Sequence, residues 1–380
     1  MRICSPHCGV DPETTSGGET YERELLLRLA ALGVHIDILL ARHKRYPEGV
    51  RNWRIHQLPL GRGLVWPVAP FVLPPAIKRV HDETGFDVLR AHSLRYIGPA
   101  VLIARRRYGL DVPIISHHHH LDRDPLNRLI ERRIVERSER VITVSEFSRR
   151  QLASVLGARS DHVEVVPNGV DERFAPSPKD SALIARHRLQ NRSVVVFLGG
   201  LKRRKNLGFL LEVWREIATQ RHDATLLIVG GGPLEGALQR RVGNLGLGGA
   251  VVFTGQVSEA EKVAYYNLAD VMVSPSSLEG FGFTVAEAMS CELPVVVSDK
   301  GALPELVVDG QSGFVCAGGD RAAFVRGLLC LLADPALRRR CGAFNRERID
   351  RSYRWERSSR RVAEIYEDTL LQWKRDGARR

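Results

Sequence analysis

The run Val194-Val195-Val196-Phe197-Leu198, closed by Gly199-Gly200, decides the fold class. Consecutive β-branched and apolar residues that stop on a glycine pair read as a short buried strand. The unit recurs downstream. Residues 225–229 precede Gly230-Gly231-Gly232-Pro233, and further strand-like runs cover 251–254, 271–274 and 294–298. Upstream, a helical stretch over 19–32 leads into Val34-His35-Ile36-Asp37-Ile38-Leu39-Leu40, with later runs at 87–89, 112–116 and 140–144. Short strands alternating with longer helical patterns predict an α/β fold with parallel sheets built from βαβ units. The turn-rich Pro167-Asn168-Gly169-Val170-Asp171 separates the two sets.

Two doubly wound halves are therefore expected, over 1–175 and 176–354. Beyond them Trp355, Val362, Ile365, Tyr366, Leu370, Leu371 and Trp373 fall at helical spacing. This predicts a helix within 355–380 that either returns to brace the first domain or packs on the second. Ligands of doubly wound sheets bind at the carboxyl ends of the strands, so a cleft between the halves is the expected site.

Composition narrows the function classes. The 380 residues, 44% hydrophobic and 26% charged, suffice for two globular cores and exclude disordered and fibrous classes. The formal charge of +12 favours anionic partners, and it is uneven: +5 over 1–180, −1 over 181–320 and +8 over the last 60 residues. Arginines repeated on helical patterns, without interleaved aromatics, suggest a solvated or membrane-facing surface more than a nucleic-acid interface. Six cysteines (Cys4, Cys8, Cys291, Cys316, Cys330, Cys341) form no paired CxxC units, which fits a reducing cytoplasm. No run of 18 apolar residues and no signal-peptide pattern occurs, so any membrane contact is expected to be peripheral, at the inner face.

The chemistry concentrates in Ser274-Pro275-Ser276-Ser277-Leu278-Glu279-Gly280-Phe281-Gly282-Phe283-Thr284-Val285-Ala286-Glu287-Ala288-Met289. A strand ends, a glycine-bearing loop follows, and a helix starts with free N–H groups that suit a phosphate. Glu279 lies before that helix and Glu287 about two turns inside it, so the two carboxylates can serve two parts of one ligand, each accepting hydrogen bonds from vicinal hydroxyls.

These residues resemble the family 4 retaining glycosyltransferases of the GT-B fold, whose Glu-x7-Glu motif occupies this setting. The similarity continues through Gly17-Gly18-Glu19, Pro167-Asn168-Gly169-Val170-Asp171, Arg204-Lys205-Asn206 and Gly230-Gly231-Gly232-Pro233, in the family's order. The resemblance implies two Rossmann-like domains facing across a cleft. It also implies transfer of a sugar from a UDP- or GDP-sugar to an acceptor hydroxyl, with retention and without a metal or other cofactor. Glu279 would contact the donor sugar hydroxyls and Glu287 the nucleotide ribose. Lys205 would neutralise the departing diphosphate, with Gly280, Phe281, Gly282, Phe283 and Thr284 binding the donor around the helix start. The family commonly has an arginine where this chain has Gly200, and Arg204 or Arg203 would replace it. Gly17 and Gly18, read as a polar loop between strand and helix, would approach the diphosphate and acceptor. A histidine would reach the donor sugar: His119, with His118 and His120 as alternatives.

Four adjacent histidines, 117–120, followed by Asp122 and Asp124 invite a metal reading, but neighbours on a strand point to opposite faces and cannot converge on one ion. Asp122-Arg123-Asp124 resembles the DxD motif of a different transferase fold. Residues 63–77 hold Trp66 and Phe71, while Pro67, Pro70, Pro74 and Pro75 argue against one regular helix; an acceptor-side or membrane-touching loop, or a buried connector, is expected there. Glu292 stands where relatives often have glycine. The expected partners are a nucleotide-sugar donor, a saccharide or lipid-linked acceptor and an anionic membrane surface. Rival readings are an epimerase or hydrolase on the same fold and a non-catalytic sugar-nucleotide-binding protein. A nicotinamide dehydrogenase lacks its GxGxxG.

Overall fold

The computed structural model describes residues 1–6, 9–14, 17–60, 65–92, 96–119, 125–157 and 160–378. Cys8, Gly63, His120, Asp122, Arg123 and Asp124 lie outside the described residues. The chain divides into two compact units, Met1–Gly169 with Trp355–Arg380, and Val170–Arg354.

The first unit runs β1 (Arg2–Pro6), α1 (Gly17–Ala31), β2 (His35–Ala41), β3 (Trp53–Leu58), α2 (Val65–Thr84), β4 (Val88–Ala91), α3 (Ile97–Tyr108), β5 (Ile114–His118), α4 (Pro125–Arg137), β6 (Arg140–Thr143), α5 (Glu146–Leu156) and β7 (Val163–Val165). All neighbouring strands are parallel, in the order β3-β2-β1-β4-β5-β6-β7. The second unit runs α6 (Ser181–Arg186), β8 (Ser193–Leu198), α7 (Leu207–Gln220), β9 (Ala224–Val229), α8 (Glu235–Asn244), β10 (Val251–Gly255), α9 (Lys262–Leu268), β11 (Val271–Ser274), α10 (Phe283–Ser290), β12 (Val295–Ser298), α11 (Leu303–Leu306), β13 (Gly313–Cys316), α12 (Arg321–Ala333) and α13 (Pro335–Ser352). Its parallel sheet has the order β10-β9-β8-β11-β12-β13. Each sheet thus winds outward from its first strand in both directions, the doubly wound arrangement, and each has a switch point: β1 beside β4, and β8 beside β11.

The central strands are buried on both faces, which is why they read as continuous apolar runs. Val195, Phe197, Leu226 and Ile228 pack with Trp214 of α7 and Phe324 of α12 in one core. In the first unit, Leu89 and Ile114 pack with Ile77 and Val80 of α2 and Val101 of α3.

Residues 65–84 form one helix with Pro70, Pro74 and Pro75 inside it, contrary to the expectation of an irregular segment. Ala69, Leu73, Ala76, Ile77 and Val80 are all buried at helical spacing. Burial of the larger apolar side chains at about 1.5–3 kcal/mol each offsets a proline cost of about 3 kcal/mol each. Phe71 stays 78% exposed.

The last helix, α14 (Trp355–Gly377), belongs to the first unit, packing on α1. Trp355, Val362, Ile365, Tyr366 and Thr369 form its buried stripe. The division between units falls at Gly169/Val170, inside the Pro167–Asp171 turn and ahead of residue 175. Val170 donates its N–H to the Tyr353 carbonyl at 2.7 Å. A Cβ on Gly169 would come within 2.4 Å of the Trp355 Cα, so only glycine fits beside the start of α14. Among the described residues no helix is long and apolar enough to cross a membrane.

Candidate active site

In the second unit the switch point sets the chemistry. The chain leaves β8 through Gly199-Gly200 and tightens into a 3-10 turn over Arg203–Lys205, while β11 ends at Ser274 and opens into the Glu279 loop. The two loops interlock: Ser277 gives its backbone N–H to the Arg204 carbonyl at 2.8 Å. Lys205 Nζ then lies 2.6 Å from Glu279 Oε1, and Arg204 Nη1 lies 2.9 Å from Glu279 Oε2 and 3.2 Å from the Leu278 carbonyl oxygen. Lys205 and Glu279 are buried; Arg204 is half exposed. Burial pushes the Glu279 carboxyl up, but the charges of Lys205 and Arg204 outweigh it and hold the group below its ordinary range. The trio carries one net positive charge beside a wall of glycine backbone. At Gly301 (φ 69°) a Cβ would sit 2.3 Å from the Glu279 carbonyl oxygen, so this glycine lets the backbone close behind the carboxylate.

The same loop runs into α10, whose N-cap Gly282 is left-handed and whose Ala286 N–H makes the first regular intrahelical bond, to Gly282 O. The N–H groups at Phe283 and Thr284 precede that bond and lie at the positive end of the helix. Two turns on, Glu287 is buried, 5% exposed, and accepts a 2.7 Å hydrogen bond from the Tyr266 hydroxyl. Burial pushes its carboxyl above the ordinary range, although the nearby Lys262 opposes this. Lys262 is ion-paired with Glu259, which Arg173 reaches at 3.1 Å.

In the first unit a second polar cluster forms where β4 and β5 end. The guanidinium of Arg90, fully buried, grips Glu22 of α1 through both terminal nitrogens. Its Nε donates to the Tyr366 hydroxyl of α14 at 2.9 Å, and that hydroxyl lies 2.6 Å from His117 Nε2. His117 Nδ1 lies 3.0 Å from the Tyr21 hydroxyl. Burial, reinforced by Arg90, pushes His117 well below the usual imidazole range, so it is neutral. His119 stands two residues on, edge-on to Tyr21 at 4.3 Å between ring centres.

The sequence-predicted residues Lys205, Arg204 and Glu279 meet in one cluster, with Gly280, Gly282, Phe283 and Thr284 on the segment that follows. Arg203 is exposed, and it is Arg204 that reaches Glu279. Phe281 is buried against Phe283 and Tyr353, which leaves only its backbone for a ligand. Gly17 and Gly18 form the first turn of α1 rather than the preceding loop. A Cβ on Gly18 would meet nothing within 4 Å. Glu19 clamps the loop instead, accepting from the Thr14 hydroxyl and the Asp11 N–H. His117 and His118 are the last residues of β5, and His119 follows it. The partners Tyr266, Glu22, Arg90 and Tyr366 escaped sequence reasoning. Arg90 left one signal, a lone charge within the otherwise apolar Val88–Ala91.

Comparison with known proteins accords with this geometry. The family described as Glycosyl transferases group 1 matches residues 181–348, and Glycosyltransferase Family 4 matches residues 15–174. The chain is 35% identical over 303 residues to the GDP-mannose-dependent alpha-(1-6)-phosphatidylinositol monomannoside mannosyltransferase of Mycolicibacterium smegmatis, covering 76% of this chain and 78% of that protein. Among solved structures, sucrose-phosphate synthase from Thermosynechococcus elongatus superposes with a TM-score of 0.83 at 24% identity, over 98% of this chain and 99% of that one. HepE from Anabaena, in complex with UDP and glucose, superposes with a TM-score of 0.79 at 17% identity, over 96% and 98%. These likenesses show the GT-B fold.

Proposed function

The chain belongs to the family 4 glycosyltransferases, and from that membership we propose that it transfers a hexose from a GDP-sugar to a hydroxyl of a saccharide or lipid-linked acceptor, with retention at the anomeric carbon. The observation that carries the reading is the Lys205–Glu279–Arg204 cluster at the switch point of the second sheet. An entering diphosphate competes for the two cations and leaves Glu279 free to accept hydrogen bonds from the sugar hydroxyls. The amides that open α10 add donors for the phosphates, and Glu287 receives the ribose. The mannosyltransferase relative uses GDP-mannose, which makes it the first donor to try.

The one carboxylate of the cluster, Glu279, is held by Lys205 and Arg204 and is assigned to the sugar hydroxyls rather than to attack on the anomeric carbon, which supports a front-face reaction. The bond from the anomeric carbon to the diphosphate breaks, and the acceptor oxygen bonds to the same face of that carbon. The acceptor's proton passes to the departing diphosphate oxygen. Lys205 and the helix amides stabilise the charge that develops on the leaving group, and no metal is needed for that task.

The test is incubation of the purified protein with GDP-mannose or UDP-glucose, with and without acceptors, following nucleotide release and the anomeric configuration of the product by NMR. Acceptor-dependent release from the GDP-sugar with a retained anomer is expected, unchanged by a chelator. An inverted product overturns the stereochemistry, preferential use of UDP-glucose overturns the donor, and release without acceptor points to a hydrolase. The basic last 60 residues, at +8, further support peripheral contact with the anionic inner face of a membrane. Sedimentation with anionic but not neutral vesicles, reversed by salt, is expected; absence from anionic vesicles at every salt concentration contradicts it.

A further inference from the structure

The mechanism above leaves the buried Glu22–Arg90 pair of the first unit without a task. Burying a charged pair is costly unless its geometry is closely satisfied, so such a pair is weak evidence for stability alone. Here Arg90 is fully buried and Glu22 nearly so, and the guanidinium engages both carboxylate oxygens. Arg90 also donates to Ser5 Oγ at 3.2 Å and to the Tyr366 hydroxyl at 2.9 Å, so Arg90 itself is held from β1 and α14.

Glu22 Oε1 lies 3.7 Å from His119 Nε2, and Oε2 lies 3.9 Å from His92 Nδ1. His119 is the more exposed of these two imidazoles, 24% against 7%. Its Nε2 is nevertheless buried and makes no hydrogen bond. The exposed part of the ring is therefore the part turned away from Glu22. Tyr21 supports the ring edge-on, and the Tyr21 hydroxyl is in turn fixed by His117. Arg90 can only donate, so the Tyr366 proton is left for His117 Nε2, and His117 gives its Nδ1–H to Tyr21.

We propose that Glu22, clamped by Arg90, is a positioning residue for His119. Its carboxylate receives the His119 Nε2–H, which leaves the Nδ1 lone pair on the accessible side of the ring as an acceptor for a hydroxyl of the donor sugar. A closing of about 0.8 Å brings the present 3.7 Å separation into hydrogen-bond range. The inference rests on the reading that His119 meets the donor sugar, and it deepens that reading by naming what sets the tautomer.

The test separates the two. The full chain, labelled with ¹⁵N-histidine and free of ligand, is examined by long-range ¹H–¹⁵N NMR, with the His119 signals identified by their loss in His119→Gln. The Nε2–H tautomer is expected to dominate in the wild type and to lose its dominance in Glu22→Gln. If that variant does not fold with Arg90 unpaired, the double variant Glu22→Gln/Arg90→Gln removes both charges and carries the same readout. Tyr366→Phe, which keeps the Glu22–Arg90 contact, should leave the His119 tautomer unchanged, as a merely structural effect would not. Turnover of Glu22→Gln should fall about tenfold to a hundredfold, with the dissociation constant for GDP unaltered, because its expected partners lie in the second unit. Identical His119 signals in the wild type and the Glu22 variants overturn the proposal. A changed tautomer with undiminished turnover upholds the positioning and removes His119 from the donor sugar.

Discussion

Glu279 and Glu287 stand eight positions apart, with seven residues between them, yet their surroundings drive them in opposite directions. Burial favours protonation of both, but at Glu279 Lys205 and Arg204 prevail, whereas at Glu287 burial prevails. The signs for stability follow. Glu279, lowered when folded, stabilises the fold above its unfolded value near 4.5, and that contribution is lost as pH falls through the lower folded value. Glu287, raised when folded, contributes below the same unfolded value and loses the contribution as pH rises through its folded value. Glu287→Gln should accordingly melt no lower than the wild type at pH 7–8, with its relative advantage shrinking toward pH 4.5, while GDP binds about tenfold more weakly for want of a charged hydrogen-bond acceptor. Melting curves across pH and calorimetric titration check the two halves; a variant less stable at every pH contradicts the first. Glu292 is the third carboxylate of interest, because it holds a left-handed backbone (φ 60°), a conformation that favours glycine. Glu292→Gly should raise stability by about 0.5–1 kcal/mol, measurable by denaturant unfolding. Gly200 is the converse case. A Cβ there meets only Lys202 Cε at 3.7 Å and the Gly231 carbonyl oxygen at 4.0 Å, so Gly200→Arg should fold normally and restore part of the turnover lost in Arg204→Ala. The seven-residue spacing made the carboxylates legible in the sequence. The opposed directions in which they shift were not, because burial decides at Glu287 and Lys205, 74 residues away in the chain, decides with Arg204 at Glu279.

At the scale of elements, the sequence revealed the middle of each sheet and the edge strand β10 but lost the other three margins. Strands β3, β7 and β13 escaped notice, and all three are edge strands among the described residues. An edge strand lacks one neighbour and one layer of burial, so it needs no continuous apolar run: β3 reads Trp-Arg-Ile-His-Gln-Leu and β7 only Val-Glu-Val. The proline-bearing α2 was hidden for another reason, since propensity is local and the stripe that overrules it is tertiary. The terminal helix was legible from its spacing, but the sequence left open which unit it joins. The answer lies in Tyr366, whose hydroxyl completes the Arg90–His117 network of the first unit. Trp355, 2% exposed at the start of that helix, should cost about 3–5 kcal/mol on replacement by Ala. Phe71→Ala on the outer face of α2 should change stability by no more than about 0.5 kcal/mol. Equal losses in the two variants would contradict this division between buried and exposed faces.

For the whole molecule, two sheets of the same winding each place polar residues at the carboxyl ends beside their switch points, and this repetition explains why the fold class was readable from alternation alone. What alternation could not supply is the assembly of Lys205, Arg204 and Glu279 from loops of different strands, or of Glu22, Arg90 and Tyr366 from three elements of the first unit. The second-unit cluster is where the account is most exposed. The deciding measurement is the steady-state rate of nucleotide release by Lys205→Ala, on the donor that the wild type turns over. We predict a fall in kcat of about a hundredfold to a thousandfold, with donor affinity changed less than in Glu287→Ala. A turnover equal to that of the wild type would contradict the account.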